Sequence, residues 1–299
     1  MLDSVSELRK KIEYPFSAAQ DGTINAVVTL AAIEHGKGNY ESSAMHVSGV
    51  KEMIRMRGGI SQVKHTSPLT ARMVLWVSML VTRQPQFGIN DHVEGHGISP
   101  DLQWQLASAN LDPGSFGICC REIDPSVRDV LARLRHIFHH GKVTITTELH
   151  DLTCFVIHKL LSPLESSCDG IQEYNHAVSL SLRHALVLYL LIIRRTTYYS
   201  HAHMAALLAK RLRGHLQDLP PHDGGLDSMK IWAISMGMVS SLDLIDRQFA
   251  SEARSARSSS GLSCWNHVLT HLESILWLNI QQDNLFLSGW QEILTNTNR

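Results

Sequence analysis

The chain has 299 residues, 44% hydrophobic and 18% charged, which is enough apolar material for a sizeable core and too much for a largely disordered protein. Twenty-seven Lys and Arg stand against 28 Asp and Glu, a formal net charge of −1 that argues against a domain built to grip phosphates. The five cysteines (Cys119, Cys120, Cys154, Cys168 and Cys264) are odd in number and include no C-x-x-C spacing, which argues against a disulfide framework or cysteine zinc site and makes reduced thiols in an intracellular compartment the simpler reading.

Helical periodicity runs through most of the chain. The N-terminal stretch scatters charges among apolar residues and lacks the continuous apolar core of a secretory signal. Tyr40, Ala44, Val47, Val50 and Ile54 recur at steps of three and four, which predicts one buried helix face, with Asn39 as N-cap and Gly58 and Gly59 as the stop. Leu69, Met73, Trp76 and Leu80 repeat the pattern after Pro68, and Pro85 closes that segment. The interval Gln84 to Ile123 is rich in Gly, Pro, Asp and Ser and reads as a long connection, with a helical turn around Leu102 to Ala109.

Asp124, Pro125 and Ser126 open another helix, with Val127, Leu131, Leu134 and Phe138 inside and Gly141 at its end. Leu149, Leu152, Val156 and Leu160 mark the next, which Pro163 stops. A longer helix is predicted from about Ile171 to Arg195, and a shorter one from about His201 to Gln217. The longest uninterrupted apolar run, Ala185 to Ile193, is well short of the ~20 residues a membrane helix needs. Pro220, Pro221, Gly224 and Gly225 form a turn. Trp232, Val239, Leu242, Ile245 and Phe249 then read as one helix, which Gly237 weakens by ~1 kcal/mol relative to Ala. The Ser- and Arg-rich stretch Ser251 to Ser263 reads as a mobile loop. Helical segments at Trp265 to Ile280 and around Phe286 to Leu294 complete the chain. Thr144 to Thr147 is β-prone but short. The expected fold is therefore all-α: a single large irregular multi-helix domain over 31–299, after a helical lead-in over 1–30, with mobile loops near 88–123, 218–228 and 251–263.

Three stretches together resemble the regulatory domain of fungal transcription factors of the binuclear zinc-cluster type. The first is Ala31 to Ile60, AAIEHGKGNYESSAMHVSGVKEMIRMRGGI, where Ala44, His46, Gly49, Arg57, Gly58 and Gly59 match the family pattern. The second is Met73 to Phe87, MVLWVSMLVTRQPQF, with Trp76 and the closing Pro85. The third runs from Leu182 to Trp290 and includes Arg183, Ala185, Tyr189, Trp232, Arg247, Trp265, Leu272 and Trp277. Val77 and Ser78 depart from the pattern, since family members often carry an Asp shortly after the second stretch's tryptophan. No six-cysteine cluster stands ahead of these blocks in the sequence. The resemblance thus implies a nuclear, non-enzymatic regulator without its own DNA-binding zinc cluster. It would act through protein partners, full-length zinc-cluster regulators among them, or through a small-molecule effector, with no cofactor, no membrane and no direct nucleic-acid binding by this chain.

Histidine, with 18 copies, is the unusual residue and carries the alternative, a His-based metal-binding protein or metalloenzyme on a helical scaffold. His92 and His96, the cluster His136, His139 and His140, the neighbours His201 and His203, and His267 with His271 are the candidate sets. No H-E-x-x-H, nucleophile elbow, G-x-G-x-x-G or Walker pattern occurs. Cys119 and Cys120 lie near Arg121, which can activate a thiol, although inert cysteine is the simpler reading. Arg194 with Arg195, and Lys210, Arg211 and Arg213, fall near helix C-termini, where positive charge complements the helix dipole. The Arg57-Gly58-Gly59 turn reads as a helix C-cap in preference to an anion or partner contact, and the tryptophans read as core anchors in preference to a ligand box.

Overall fold

The computed structural model describes residues 2–89, 97–109, 123–140, 147–162, 173–194, 200–219, 226–240, 247–278 and 283–295. The architecture is all-α. Among the described residues there are fifteen helices, and the sole β pairing is an isolated bridge between Ile89 and Ile98. The helices group into two compact units. One takes Met1–Asp101 with His150–Pro163; the other takes Leu102–Leu149 with Leu164–Arg299.

The first unit contains α1 (Leu2–Glu13), α2 (Pro15–Ala18), α3 (Asp21–Gly36), α4 (Tyr40–Met56), α5 (Ile60–Thr66), α6 (Pro68–Thr82) and the part of α9 (Thr147–Leu161) from His150 onward. Its centre is α3 packed on α4 and α6. The division expected at residue 30 falls inside α3, because Asp21–Gly36 is one uninterrupted helix with Ile24, Val27, Val28 and Ala31 buried. On α4 the buried face is Ser43, Val47, Val50, Met53 and Ile54, whereas Tyr40 and Ala44 point to solvent. The predicted face was displaced at its start because Ser43 satisfies its hydroxyl on the Ala31 carbonyl and so enters the core as a small residue. Asn39 precedes α4 without a side-chain cap; its amide instead donates to Glu34. Leu69 is likewise exposed, and α6 buries Ala71, Val74, Leu75, Trp76, Met79 and Leu80.

The second unit contains α7 (Leu102–Ala109), α8 (Pro125–His140), α10 (Glu173–Arg194), α11 (Ala202–Gln217), α12 (Asp227–Val239), α13 (Arg247–Ser260), α14 (Trp265–Ile275) and α15 (Asp283–Thr295). Asp124 caps α8 by accepting from the backbone N–H of Ser126 at 2.8 Å, and the predicted residues Val127, Leu131, Leu134 and Phe138 are all buried. Helix α12 is the hub, packing against α10, α11, α13, α14 and α15. Every residue from Ile231 to Met238 is buried, as a helix covered on all sides requires.

Polar atoms carried into this core find partners. Trp232 Nε1 donates to the Leu276 carbonyl at 2.8 Å, Trp290 Nε1 donates to Ser235 Oγ at 2.9 Å, and Tyr189 Oη accepts from Leu278 N–H at 2.6 Å. These bonds hold residues 276–278 in an extended course, so α14 stops at Ile275, short of the predicted Ile280. Tyr189 also stacks with Trp277, which meets Phe286 edge-on. The stretch His176–Arg194 of α10 has the length and apolarity of a membrane span, more than its uninterrupted apolar run suggested, but 78% of its 18-residue apolar window is buried.

Two predicted features are corrected here. The helix expected from Trp232 to Phe249 is two helices, with Phe249 on α13 and with Leu242 and Ile245 outside the described residues. The loop expected at Ser251–Ser263 is helical as far as Ser260, because Phe249, Ala250 and Ala253 fall on one face and are buried. Of the other loops, residues 90–96, 110–122 and 220–225 lie outside the described residues, as do the β-prone positions 144–146 and the pair His92 and His96.

Gly237 explains how α12 and α13 approach. A Cβ built there would sit 2.3 Å from Cζ of the buried Phe249 ring. Helix propensity alone predicts that Gly237→Ala stabilises the protein by ~1 kcal/mol. The packing predicts the reverse, a loss of about 1–3 kcal/mol from overpacking, read as a lower urea midpoint; a midpoint that rises would show that Phe249 can move aside.

Candidate functional site

The best-defined local feature is the turn after α4. Arg57 ends the helix, Gly58 takes φ 85°, and Gly59 takes φ 97° with ψ 172°, a region essentially restricted to glycine. The Gly59 N–H donates back to the Ile54 carbonyl at 3.0 Å, and the Gly58 N–H to the Arg55 carbonyl at 3.1 Å. The Arg57 guanidinium donates to the Asp21 carboxylate at the start of α3 and to Thr66 Oγ1 at 2.9 Å. The Ser67 hydroxyl, at the start of α6, donates to the other Asp21 oxygen. Three helix ends therefore meet on one carboxylate. The Ser67 hydrogen bond, with Arg57 beside it, holds the Asp21 carboxyl below its usual range against the opposing effect of desolvation. The charge of Arg57 is thus committed internally, and Arg55 pairs with Glu52 on the surface.

The other family-motif positions scatter. Ala44 is exposed, His46 is half-buried, and a Cβ at Gly49 would meet nothing within 4 Å. Trp76 is buried in α6 and Pro85 is half-buried just beyond it. Trp277 belongs to the aromatic cluster, and Trp265, at the start of α14, is only half-buried. Arg183 is half-buried on α10, where desolvation lowers its pKa and the charge of Asp124 partly offsets that.

The first unit also holds a cleft of about 200 Å³ that the sequence did not reveal. Pro68, Ala71, Arg72 and Leu75 share one face of α6, as residues three and four apart must. The same spacing brings His150, Asp151, Cys154 and Phe155 to one face of α9. Lys64 of α5 and Ile98 close the rim, and the Ile98 N–H is anchored on the Gly88 carbonyl at 2.8 Å. Arg72 grips Asp151 with two parallel bonds of 2.8 Å, the fork geometry that guanidinium and carboxylate favour. Lys64 Nζ donates to the Ser99 carbonyl at 3.1 Å. His150 packs on Trp76 at a ring separation of 6.0 Å. The arrangement offers cationic donors beside an apolar wall, which suits binding a small molecule more than breaking a bond.

Cys154 of the cleft wall and the buried His158 lie one turn apart on α9, with Sγ 3.7 Å from Nδ1. The same Nδ1 is 2.8 Å from the Cys154 carbonyl, an acceptor only, so Nδ1 carries the ring hydrogen and cannot take a proton from the thiol. Burial pushes the His158 imidazole down to about 4, only partly opposed by that backbone bond. In the second unit, burial pushes His184 down to about 4 as well, with the stacked His215 ring 5.3 Å away adding to the effect.

His92, His96 and the His140 side chain lie outside the described residues, and the other predicted histidines have separate surroundings. His267 faces Ser263 Oγ at 3.3 Å while His271 faces Ser228 Oγ at 2.8 Å. His201 is buried and His203 is exposed, and His136 is half-buried while His139 is exposed. Among the described residues no three His, Cys, Asp or Glu side chains gather in a metal-holding group. Of the basic residues, Lys210 and Arg211 are exposed on α11, and Arg213 lies 4.9 Å over the Phe249 ring. Cys119, Cys120, Cys168 and Arg195 lie outside the described residues.

Two measurements test this description. Gly59→Ala should cost about 1–3 kcal/mol of stability through the forbidden backbone region, while Gly49→Ala on open α4 should gain up to ~1 kcal/mol; equal midpoints in urea would contradict the turn geometry. For His158 and His184 the folded pKa, about 4, lies below the unfolded value of 6.5, so the unfolded chain binds more protons between these values. Stability should be full above pH 6.5 and fall as pH drops towards 4, by on the order of 3 kcal/mol per histidine. A urea midpoint unchanged between pH 7 and pH 5 would show that both imidazoles titrate normally in the folded protein. In comparisons with known proteins, no family model, no curated protein and no solved structure matches this chain.

Proposed function

We propose that this chain is a transcription-regulator-like protein, non-enzymatic, that works through protein or effector contacts of a helical regulatory domain. The observation that carries the reading is the position of the Arg57-Gly58-Gly59 motif, which joins the helical core of the first unit to the wall of its cleft. Gly59 leads directly into α5, which supplies Lys64, and Ser67 on the same carboxylate leads into α6, which supplies Arg72. Occupation of the cleft would press on α5 and α6. That force reaches α3 and α4 through Asp21 and Arg57 without any covalent step. The ordered blocks Ala31–Ile60, Met73–Phe87 and Leu182–Trp290 supply the link to transcription, and with it a nuclear location and full-length zinc-cluster regulators as partners.

Fusion of the whole chain to an unrelated DNA-binding domain in a fungal host tests the reading. A reporter carrying that domain's sites should change several-fold in either direction relative to the DNA-binding domain alone, and the chain tagged without the fusion should concentrate in the nucleus. A folded, nuclear fusion that leaves the reporter unchanged, with the unfused chain diffuse in the cytosol, would end the proposal.

A further inference from the structure

We infer that the cleft of the first unit is a binding site for a small carboxylate with a compact apolar body. Charge selects the ligand's sign and size of charge. An ammonium has three donors, and among the described residues Lys64 commits one, to the neutral Ser99 carbonyl, and makes no ion pair. Arg72 is neutralised by Asp151 through Nε and Nη2, which leaves the hydrogens of Nη1 uncommitted. The two cations and one carboxylate sum to a single positive charge. A monoanion balances that charge, a phosphate dianion overshoots it, and a cation is repelled.

The walls select the rest of the molecule. Ala71, Leu75, Ile98 and Phe155 offer no hydrogen bond to a polar body, and a polar group pressed on them would lose its water without compensation. The volume, about 200 Å³, somewhat exceeds the ~150 Å³ of an engineered apolar cavity that holds benzene. A benzene ring or a branched aliphatic chain bearing one carboxylate meets both requirements. The carboxylate would lie on Lys64 with Arg72 beside it. This inference deepens the regulatory reading, on which it rests for the role of effector, although binding itself can be measured without that reading.

Titration calorimetry of the whole purified chain at pH 7.4 is the test, with benzoate, phenylacetate and 3-methylbutanoate as probes and benzamide as the uncharged counterpart of benzoate. At least one carboxylate should bind one-to-one, and benzoate should bind at least tenfold more tightly than benzamide. Lys64→Met, close in shape and half-buried, should reduce benzoate to the level of benzamide, whereas Lys64→Arg should retain benzoate within about threefold of wild type. No binding by any of the three carboxylates up to millimolar concentration, equal affinity for benzamide, or undiminished benzoate binding by Lys64→Met would each overturn the inference. Carboxylate binding without any reporter response sustains the site and removes the regulatory reading; a reporter response without carboxylate binding does the reverse.

Discussion

The cleft of the first unit depends on one ion pair. Arg72 on α6 and Asp151 on α9 are 79 residues apart in sequence, and their two parallel bonds tie the segment from His150 into a unit otherwise built from the first hundred residues. Neither side chain is fully exposed, so each has surrendered part of its hydration to the other. Such a pair adds little net stability compared with well-packed apolar residues, but losing one partner strands a desolvated charge. Its effect is to fix register. With Asp151 held, Cys154 and Phe155 must face α6, and the space between the helices becomes a cleft of defined shape.

The turn at Gly58 and Gly59 complements that pair. One ties α6 to α9; the other ties α6 to α3 and to the end of α4. Between them, the N-terminal half of α6 is held by two carboxylates, Asp21 on Ser67 and Asp151 on Arg72, while its apolar residues fill the core. A ligand entering beside Lys64 therefore meets walls whose positions are set by hydrogen-bonded carboxylates, Asp21 and Asp151, with little dependence on flexible side-chain packing.

Amphipathic helices were legible wherever apolar identity and burial coincide. On α8 the residues spaced at three and four are buried along one stripe; on α9 the predicted Leu149, Leu152, Val156 and Leu160 are buried too, within a run from Leu152 to His158 that is covered on all sides. Legibility failed where a polar atom found an internal partner, as Ser43 did on the Ala31 carbonyl, or where small residues mimic a loop. Serines and arginines dominate Ser251–Ser260, yet Ala253 and Phe249 suffice to hold α13 against α12. Gly237 shows the same limit: a residue that lowers helix propensity is the one that admits the Phe249 ring. The cleft was illegible for a different reason. Lys64, Arg72 and Asp151 look like surface charges in sequence, and only the topology brings them together. Periodicity reports a helix's face and not which distant helix will cover it.

The burial of α10 has a consequence for synthesis. Its stretch His176–Arg194 has the apolarity of a membrane segment; α8 covers part of it from earlier in the chain, and α11, α12 and residues 276–278, all later, supply the rest. The last of these follows Arg194 by 84 residues (278 minus 194). At translation rates of about 5–20 residues per second, α10 waits on the order of ten seconds for its full covering. During that interval the apolar run Ala185–Ile193 lacks part of its final cover. The finished unit therefore conceals the segment only once sequence far downstream of it has been made.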